Sequence, residues 1–229
     1  MRIAILGAMV EEIEPLIETF EVSEVVEYAQ NKFYIAKYKN LELVIAYSKI
    51  GKVFASLTAS MLIEKFKCEK LLFSGVAGAV NPNLAIGDLV VANKLSQHDL
   101  DITAFGHPFG FVPEGAVFTE ADRGLIEIAK DVAKEKKIEL KEGIIATGDQ
   151  FVANEERKNW IGETFKADAL EMEGASVAVV CKALNIPFFI LRAISDSADM
   201  KADFDFDEFL KSSAKNSADF IIKMLDRLN

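Results

Sequence analysis

The most constraining feature of this 229-residue chain is a series of short, unbroken apolar runs that alternate with stretches of helical periodicity. Such runs are typical of strands that are covered on both faces. The predicted strands are RIAILG, FYIAKY, ELVIAY, KLLFSG, DLVVAN, EGIIAT and PFFILRAI. The second and third form a predicted hairpin around Lys39-Asn40, and DALEM predicts one more short strand.

Between these runs, apolar residues recur with the spacing of amphipathic helices. The predicted helices span residues 10–19, 53–66, 121–136, 174–184 and 206–228. Strands that alternate with helices predict an α/β fold, with helices that flank a mixed, mainly parallel central sheet. Because no linker rich in Ser, Gly or Pro divides the chain, we expect residues 1–229 to form a single domain.

One segment, residues 95–113 (LSQHDLDITAFGHPFGFVP), fits neither pattern. It is long and aromatic, it is rich in Gly and Pro, and it lacks a helical period. A loop of this length inside a compact domain is usually functional or part of an interface.

Composition argues against several classes of partner. The net charge of −10 is opposite in sign to what binding a nucleic-acid backbone requires, so nucleic acid is not an expected ligand. Cys68 and Cys181 lack the spacing of a disulfide framework or a zinc site, and we expect both to be buried. The first apolar run is too short for a signal peptide or a membrane span, which favours a cytoplasmic protein without a membrane partner.

Acidic residues gather where the apolar runs end. Glu11 and Glu12 follow the first strand, Glu171 and Glu173 lie at the end of DALEM and just after it, and Asp196 follows the last strand. In α/β sheets, ligands bind beyond the carboxyl ends of the strands. These acids therefore predict a site for a neutral or cationic small molecule.

Each acid also has a simpler explanation. Glu11 and Glu12 complement the dipole of a helix that begins there, and Asp196 in SDSAD fits a cap or a turn. Glu173 fits the first turn of a helix, and one member of the pair Glu171 and Glu173 could serve only to reach solvent. The convergence of acids from separate strands favours a site over these separate roles.

Common catalytic and nucleotide-binding motifs are missing or incomplete in the sequence. Gly51-Lys52 is followed by Val53, where a phosphate-binding loop needs Ser or Thr, and SGVAGA lacks the spacing of a dinucleotide-binding loop. His98, in HDLD, lacks the rest of a metal-ligand set and is expected to be structural or part of an interface. The serine-nucleophile motif GxSxG does not occur.

A series of stretches, taken in order, resembles the 5′-methylthioadenosine/S-adenosylhomocysteine nucleosidases of the purine nucleoside phosphorylase superfamily. The stretches are IAILGAMVEEI, SKIGKV, GVAGA, IGDLVVA, DITAFG, TGDQFV, EMEGASVA, RAISDSAD and FDEFL, which extend over nearly the whole chain. The resemblance implies a nucleoside phosphorylase-like fold. It also implies hydrolysis of the bond between adenine N9 and ribose C1′, with no cofactor and no metal.

The resemblance assigns the proton transfers of this reaction to two carboxylates. Asp196 matches the acid that protonates adenine N7, and Ser195 helps to orient it. Glu12 matches the residue that positions and deprotonates the attacking water. A carboxylic acid that keeps its proton near neutral pH needs a raised pKa, which a weakly solvated pocket provides.

The other matched positions contact the substrate. Glu173 matches the acid that holds the ribose hydroxyls and faces the positive charge that develops on the sugar, and Glu171 is expected to support the site from behind. The further implied contacts are Met172 at the sugar, Phe151 and Val152 at adenine, Met9, Ile50 and Phe206 at the 5′ substituent, and Arg192 near the sugar and the acids, where it is expected to orient the carboxylates. Ile102, Phe105 and Pro113 match residues that a homodimer partner contributes to the neighbouring pocket.

Val76 departs from the usual pattern, because many members of the family carry Ser in this part of GVAGA. A subgroup with this change also processes 6-amino-6-deoxyfutalosine, so this nucleoside is an expected substrate beside 5′-methylthioadenosine, S-adenosylhomocysteine and 5′-deoxyadenosine. Two alternatives stay open. A nucleoside phosphorylase would use phosphate instead of water, although the acids near Glu12 would repel it. A non-catalytic nucleoside-binding protein should have lost Glu12, Glu173 or Asp196, and all three are present.

Overall fold

The computed structural model describes residues 1–199 and 202–228, apart from the side chain of Phe204. Its strands are β1 (Arg2–Gly7), β2 (Val22–Tyr28), β3 (Asn31–Tyr38), β4 (Leu41–Tyr47), β5 (Lys70–Ala79), β6 (Leu89–Gln97), β7 (Thr119–Glu120), β8 (Leu140–Thr147), β9 (Ala169–Glu171) and β10 (Phe188–Asp196). Its helices are α1 (Val10–Thr19), α2 (Lys52–Glu64), α3 (Arg123–Lys136), α4 (Glu155–Phe165), α5 (Gly174–Ala183) and α6 (Ala202–Leu228), with a 3-10 turn at Thr103–Phe105.

The strands of the described chain belong to one mixed sheet. Parallel pairing joins β4 to β1, β1 to β5 and β5 to β10. The sheet then closes on itself, because β10 pairs with β6, β6 with β8, β8 with β9, and β9 with the end of β5. The hairpin predicted around Lys39-Asn40 is formed by β3 and β4. The predicted α/β fold with a mixed central sheet flanked by helices is therefore confirmed.

The central strands form the middle of the core. Every residue of β10 is buried, and so is every residue of β1 after Arg2. Burying one large apolar side chain contributes about 1.5–3 kcal/mol, so these strands fix the sheet whose carboxyl ends carry the acids. Cys68 and Cys181 are free and buried, as predicted.

Two pairs of helices flank the sheet: α1 packs against α6, and α2 packs against α5. The C-terminal helix α6 also supports β5 from behind. The Oγ of the fully buried Ser217 accepts a hydrogen bond from the backbone N–H of Gly75 (3.2 Å) and one from the hydroxyl of Ser74 (2.9 Å). A long apolar helix of the kind that could cross a membrane does not occur among the described residues.

The sequence patterns miss β2, α4 and β7 and misplace several boundaries; α2, for example, ends at Glu64 instead of residue 66. β2 is an edge strand with most residues turned to solvent, so VSEVVEY contains no apolar run. α4 buries only Ile161 and Phe165, too few for a visible apolar stripe, and β7 has two residues. The segment 95–113 is not a loop throughout, because β6 continues to Gln97, and the last helix begins at Ala202 instead of residue 206.

Candidate active site

A cavity of about 280 Å³ opens at the carboxyl ends of β1, β5 and β10. The residues that line it come from widely separated parts of the sequence: Ala8, Met9, Glu12, Ile50, Val76, Ala77, Gly78, Gln150, Phe151, Val152, Leu170, Glu171, Met172, Glu173, Ser195, Asp196 and Phe206. The site residues that the resemblance placed within one chain all belong to this set, except Arg192.

Glu12 enters the cavity from the first turn of α1 and is 2% exposed. The backbone N–H groups of Ala8 (2.5 Å) and Met9 (3.2 Å) donate to its Oε2, and the N–H of Val76 donates to its Oε1 (2.9 Å). The bond from Met9 means that Glu12 also stabilises the start of α1. Glu12 therefore has both the helix-start role and a place in the cavity. Burial raises the pKa of Glu12, whereas the charge of Arg192 and the three N–H donors act to lower it.

Asp196 ends β10 and is 4% exposed. The hydroxyl of Ser195 donates to Oδ2 (2.9 Å), and the N–H of Ala198 donates to Oδ1 (2.8 Å). The second bond is the turn contact that SDSAD suggested. Asp196 therefore makes this turn contact and also lines the cavity. Burial raises the pKa of Asp196, and the two hydrogen bonds partly offset that effect. Gly78 makes room for this carboxylate, because a Cβ at Gly78 would lie 2.7 Å from Oδ1.

Glu173 caps the start of α5 and is 5% exposed. The backbone N–H of Gly51 donates to its Oε1 (2.8 Å). Burial, followed by the neighbouring carboxylate of Glu171, raises the pKa of Glu173 to about 8, although the Gly51 N–H and the charge of Arg192 act to lower it. Glu173 therefore holds its proton more tightly than a solvated glutamate does.

Glu171 is buried like Glu173, so the idea that one of the two only reaches solvent is wrong. Its Oε2 accepts hydrogen bonds from the Nη2 of Arg192 (2.6 Å) and the N–H of Gly174 (2.6 Å), and the hydroxyl of Thr147 donates to its Oε1. Arg192 is 1% exposed and does not line the cavity. Its side chain lies behind the wall, where it pairs with Glu171, one of the acids beside which it was expected.

The mouth of the cavity is apolar. The rings of Phe151 and Phe206 meet edge to face, with their centroids 5.6 Å apart. Phe151 and Ile50 are 45% and 52% exposed, although both line the cavity. These two side chains form an apolar rim at the mouth of the cavity.

Ile102, Phe105 and Pro113 lie outside this cavity, and the side chain of Phe105 is 81% exposed. A second exposed apolar surface begins at the mouth of the cavity and continues along one side of α2. We call it the α2 face, and it consists of Ile50, Val53, Phe54 and Leu57. Val53, Phe54 and Leu57 lie on one side of α2, and Ile50 directly precedes the helix and its N-cap Gly51.

His98 also lies outside the cavity, and it is 1% exposed. The Nη2 of Arg157 lies 3.1 Å from its Nδ1 and donates to its carbonyl oxygen (3.3 Å). Burial and then the charge of Arg157 lower the pKa of His98 to about 4. The ring packs on Gly148, where a Cβ would lie 2.3 Å away. Among the residues the structure describes, no group of three His, Cys, Asp or Glu side chains is arranged to hold a metal ion.

Several functional groups that the sequence reasoning missed are backbone atoms or glycines. The N–H of Gly51 holds Glu173, and Gly75 and Gly78 leave space for the carboxylates around them. Ala8, Ala77, Gln150 and Leu170 complete the lining. The one available signal was the glycines of SKIGKV and GVAGA at strand ends, which indicate close approach of neighbouring groups but not which groups approach.

The arrangement can give one proton and take another. Glu12 and Asp196 come from the ends of different strands, share one cavity, and both have raised pKa values because of burial. Carboxyl groups with raised pKa values can work as acid and base closer to neutral pH than solvated ones. Glu173 adds a third carboxylate that can hold hydroxyl groups or face positive charge.

The sequence profile of the phosphorylase superfamily matches residues 2–226. The aminodeoxyfutalosine nucleosidase of Campylobacter jejuni subsp. jejuni is 61% identical over 228 residues, which span 100% of both chains. The 5′-methylthioadenosine/S-adenosylhomocysteine nucleosidase of Bacillus thuringiensis subsp. konkukian is 38% identical over 230 residues, again 100% of both.

Solved structures agree with these sequence matches. A crystal structure of Helicobacter pylori 5′-methylthioadenosine/S-adenosylhomocysteine nucleosidase contains an aminopyrrolopyrimidine joined to a pyrrolidinol with a propynylthiomethyl arm. It is 51% identical to this chain, with a TM-score of 0.98 and coverage of 99% of this chain and 98% of that one.

Proposed function

This chain belongs to the phosphorylase superfamily, and we propose that within it the protein is a nucleosidase that hydrolyses the N-glycosidic bond of adenine nucleosides and releases adenine. The nucleosidase names of relatives that match along the full chain support this function.

One observation carries the choice of water over phosphate as the nucleophile. Four buried acidic residues, Glu12, Glu171, Glu173 and Asp196, line the cavity, and none of the described lining residues is Lys, Arg or His. Phosphate binding needs cationic side chains or a cluster of free N–H donors. The N–H groups beside Glu12 already donate to its carboxylate, so they are not free to bind phosphate.

Asp196 is the proposed general acid. As the bond between C1′ and N9 breaks, its electron pair goes to the purine, and the proton of Asp196 goes to N7, so that adenine leaves as a neutral molecule. The raised pKa of Asp196 keeps that proton available. The hydroxyl of Ser195 fixes the orientation of the carboxyl group.

Glu12 is the proposed general base. It accepts a proton from the water whose oxygen forms the new bond to C1′, opposite the departing base. Its three N–H donors hold the carboxylate in one orientation. Glu173 acts in its ionised form: it binds the ribose hydroxyls, with Met172 beside the sugar, and its negative charge stabilises the positive charge that develops on the ring.

The remaining walls divide between adenine and the 5′ substituent. Phe151 stacks on adenine and the backbone at Val152 reads its edge, while Met9, Ile50 and Phe206 line the space for the 5′ group. Val76 has no side-chain hydrogen-bonding group, although its backbone N–H holds Glu12. The relative at 61% identity carries the name aminodeoxyfutalosine nucleosidase, which supports 6-amino-6-deoxyfutalosine as a substrate beside 5′-methylthioadenosine, S-adenosylhomocysteine and 5′-deoxyadenosine.

The protein is proposed to work as a homodimer. Ile50 belongs both to the cavity and to the exposed α2 face, so a surface that covers this face also closes the mouth of the cavity. Ile102, Phe105 and Pro113 of a second copy supply the closing side chains in this arrangement. Covering large apolar side chains provides the free energy for such an association.

The test is product analysis by chromatography, with 5′-methylthioadenosine and 6-amino-6-deoxyfutalosine as substrates, in the presence and absence of phosphate. We expect adenine and the free sugar from both nucleosides, at rates that do not depend on phosphate. A sugar 1-phosphate formed only with phosphate would identify a phosphorylase. Tight nucleoside binding without any adenine would identify the non-catalytic alternative.

A further inference from the structure

Three residues outside the cavity form a closed ring of hydrogen bonds between the start of α2 and two loops. The Nζ of Lys52 donates to Asp99 Oδ1 (2.6 Å), the N–H of Asp149 donates to Asp99 Oδ2 (2.8 Å), and the N–H of Lys52 donates to Asp149 Oδ1 (2.8 Å). We call this the Lys52 ring. Its ionic contact is partly protected from solvent, with exposures of 18% for the Lys52 side chain and 25% for that of Asp99.

The ring adjoins two parts of the proposed active site. Gly51, next to Lys52, donates its N–H to Glu173 Oε1 (2.8 Å). Asp149 lies directly before Gln150, Phe151 and Val152, which line the cavity; the proposed function places adenine against Phe151 and Val152, called the adenine wall here. The loop 148–152 and the donor to Glu173 are therefore joined through one carboxylate.

The local backbone shows how closely Asp149 controls Gly51. Gly51 has φ of +100°, a conformation that side chains disfavour, and a Cβ there would lie 3.1 Å from Asp149 Oδ1. The carboxylate thus lies against Gly51 while it accepts the N–H of the next residue. Without that acceptor, the ring no longer fixes the Gly51–Lys52 peptide, which is joined at the Gly51 Cα to the preceding peptide, whose N–H donates to Glu173.

We infer that Asp149 is a positioning residue that directs the Gly51 N–H onto Glu173 and so couples the adenine wall to the carboxylate that holds the ribose. Asp149 does not line the cavity, so it acts through Gly51 and the loop that follows it. This inference rests on the proposed function, because it assumes that Glu173 binds the ribose hydroxyls.

The experiment compares D149A with D149N. Asn keeps a side-chain oxygen that accepts the Lys52 N–H, whereas Ala removes it. We expect D149A to lower kcat/KM for 5′-methylthioadenosine about tenfold, mainly through KM, and D149N to keep most of the wild-type value. A matched control is D122A, because Asp122 accepts the N–H of Leu125 at the start of α3, away from the cavity (2.8 Å).

The pH profile separates positioning from general damage. Glu173 is faced by Glu171, Arg192 and Glu12 as well as by the Gly51 N–H, which lowers its pKa. Loss of that donor should move the acidic limb of kcat/KM to higher pH in D149A but not in D149N or D122A. A wild-type profile in D149A, or an equal loss in D149N, would overturn the inference.

A second readout does not depend on hydrolysis. Amide hydrogen exchange at Gly51, followed by NMR, should be faster in D149A than in wild type and close to wild type in D149N. If D149A does not fold, K52M opens the ring at Asp99 and should also speed exchange at Gly51; unchanged exchange there would reject the ring. Should the wild-type protein release no adenine, the proposed function fails, while the exchange result still decides whether the ring positions Gly51.

Discussion

The side chains of Glu12 and Arg192 both border the space beside Gly75 that a side chain would otherwise fill. A Cβ built on Gly75 would lie 2.8 Å from Glu12 Oε1 and 2.9 Å from Arg192 Nη1. The proposed base is thus separated from the buried guanidinium by a strand position without a side chain. The positive charge acts against burial and lowers the pKa of Glu12, while Glu171 binds the same guanidinium from the other side.

The first prediction concerns this gap. In G75A, the added methyl group must displace Glu12 or Arg192, and we expect kcat/KM to fall about 100-fold, because small errors in the placement of a catalytic group are costly. G124A is a suitable control, since a Cβ there meets only a side-chain oxygen of Asp122, at 3.2 Å, on a helix away from the cavity. Steady-state kinetics on both variants measure the effect. Wild-type activity in G75A would show that catalysis does not need a residue without a side chain at position 75.

The second prediction tests the base. E12Q should lower kcat by about 10²–10⁴-fold, because the amide cannot accept the proton of the attacking water. E11Q removes the neighbouring carboxylate, which does not line the cavity, and should leave kcat unchanged. Equal losses of kcat in the two variants would mean that activity depends on negative charge at the start of α1 and not on a proton transfer to Glu12.

The third prediction separates the acid from the base by the choice of leaving group. A p-nitrophenyl riboside releases an anion that needs no protonation, so D196N should retain most of its activity on this substrate while it loses about 10²–10⁴-fold on an adenine nucleoside. E12Q should be impaired on both. The same loss on both substrates in D196N would contradict a role for Asp196 as acid.

The pH dependence of activity gives the fourth prediction. Glu12 and Glu173 must be ionised and Asp196 must be protonated, and burial raises the pKa of all three groups. Activity should therefore rise as the pH passes the raised pKa values of Glu12 and Glu173 and fall as it passes the raised pKa of Asp196. Both limbs of kcat/KM should lie above the ordinary pKa values of the carboxyl groups. In D196N, assayed with the p-nitrophenyl riboside, the alkaline limb should disappear.

The fifth prediction concerns stability. The pKa of Glu173 is raised from 4.5 to about 8, mainly by burial, so the folded protein keeps a proton that the unfolded chain loses between these values. This contribution to stability is present below pH 4.5 and is lost as the pH rises through about 8. E173Q, which is neutral throughout, should therefore gain thermal stability over wild type as the pH rises from about 5 to about 9, by about 2–4 °C for each kcal/mol.

E142Q provides the control for that comparison. Hydrogen bonding to Lys130 is the largest cause that lowers the pKa of Glu142 to about 2, so its contribution is already complete above the ordinary value of 4.5. The difference in Tm between E142Q and wild type should stay constant over the same pH range. A constant difference for E173Q as well would show that Glu173 has an ordinary pKa.

Much of the site could be predicted because strand ends are readable. The apolar runs before Glu12 and Asp196 mark β1 and β10, and parallel neighbours bring their ends to the same edge. Arg192 could not be placed in the same way. Alternation along a strand tells which face a side chain takes, but the partner that binds it, here Glu171, depends on packing that one strand does not encode.

The fold shows the same limit. Closure of the sheet depends on β9, whose three residues pair with both β8 and β5. No apolar pattern in so short a segment specifies two partners. The edge strand β2 was missed for a different reason: its exposed residues carry little of the apolar signal that the prediction uses.

The contact of Ser217 with Gly75 has a consequence for the order in which the site is completed. Ser217 lies on α6, yet it holds the strand position between Glu12 and Arg192. α6 also brings Phe206 to the mouth of the cavity. A sheet formed by β1, β5 and β10 without α6 lacks both supports. We therefore expect the sheet and the site to be separable in folding, with the site complete only once α6 has docked.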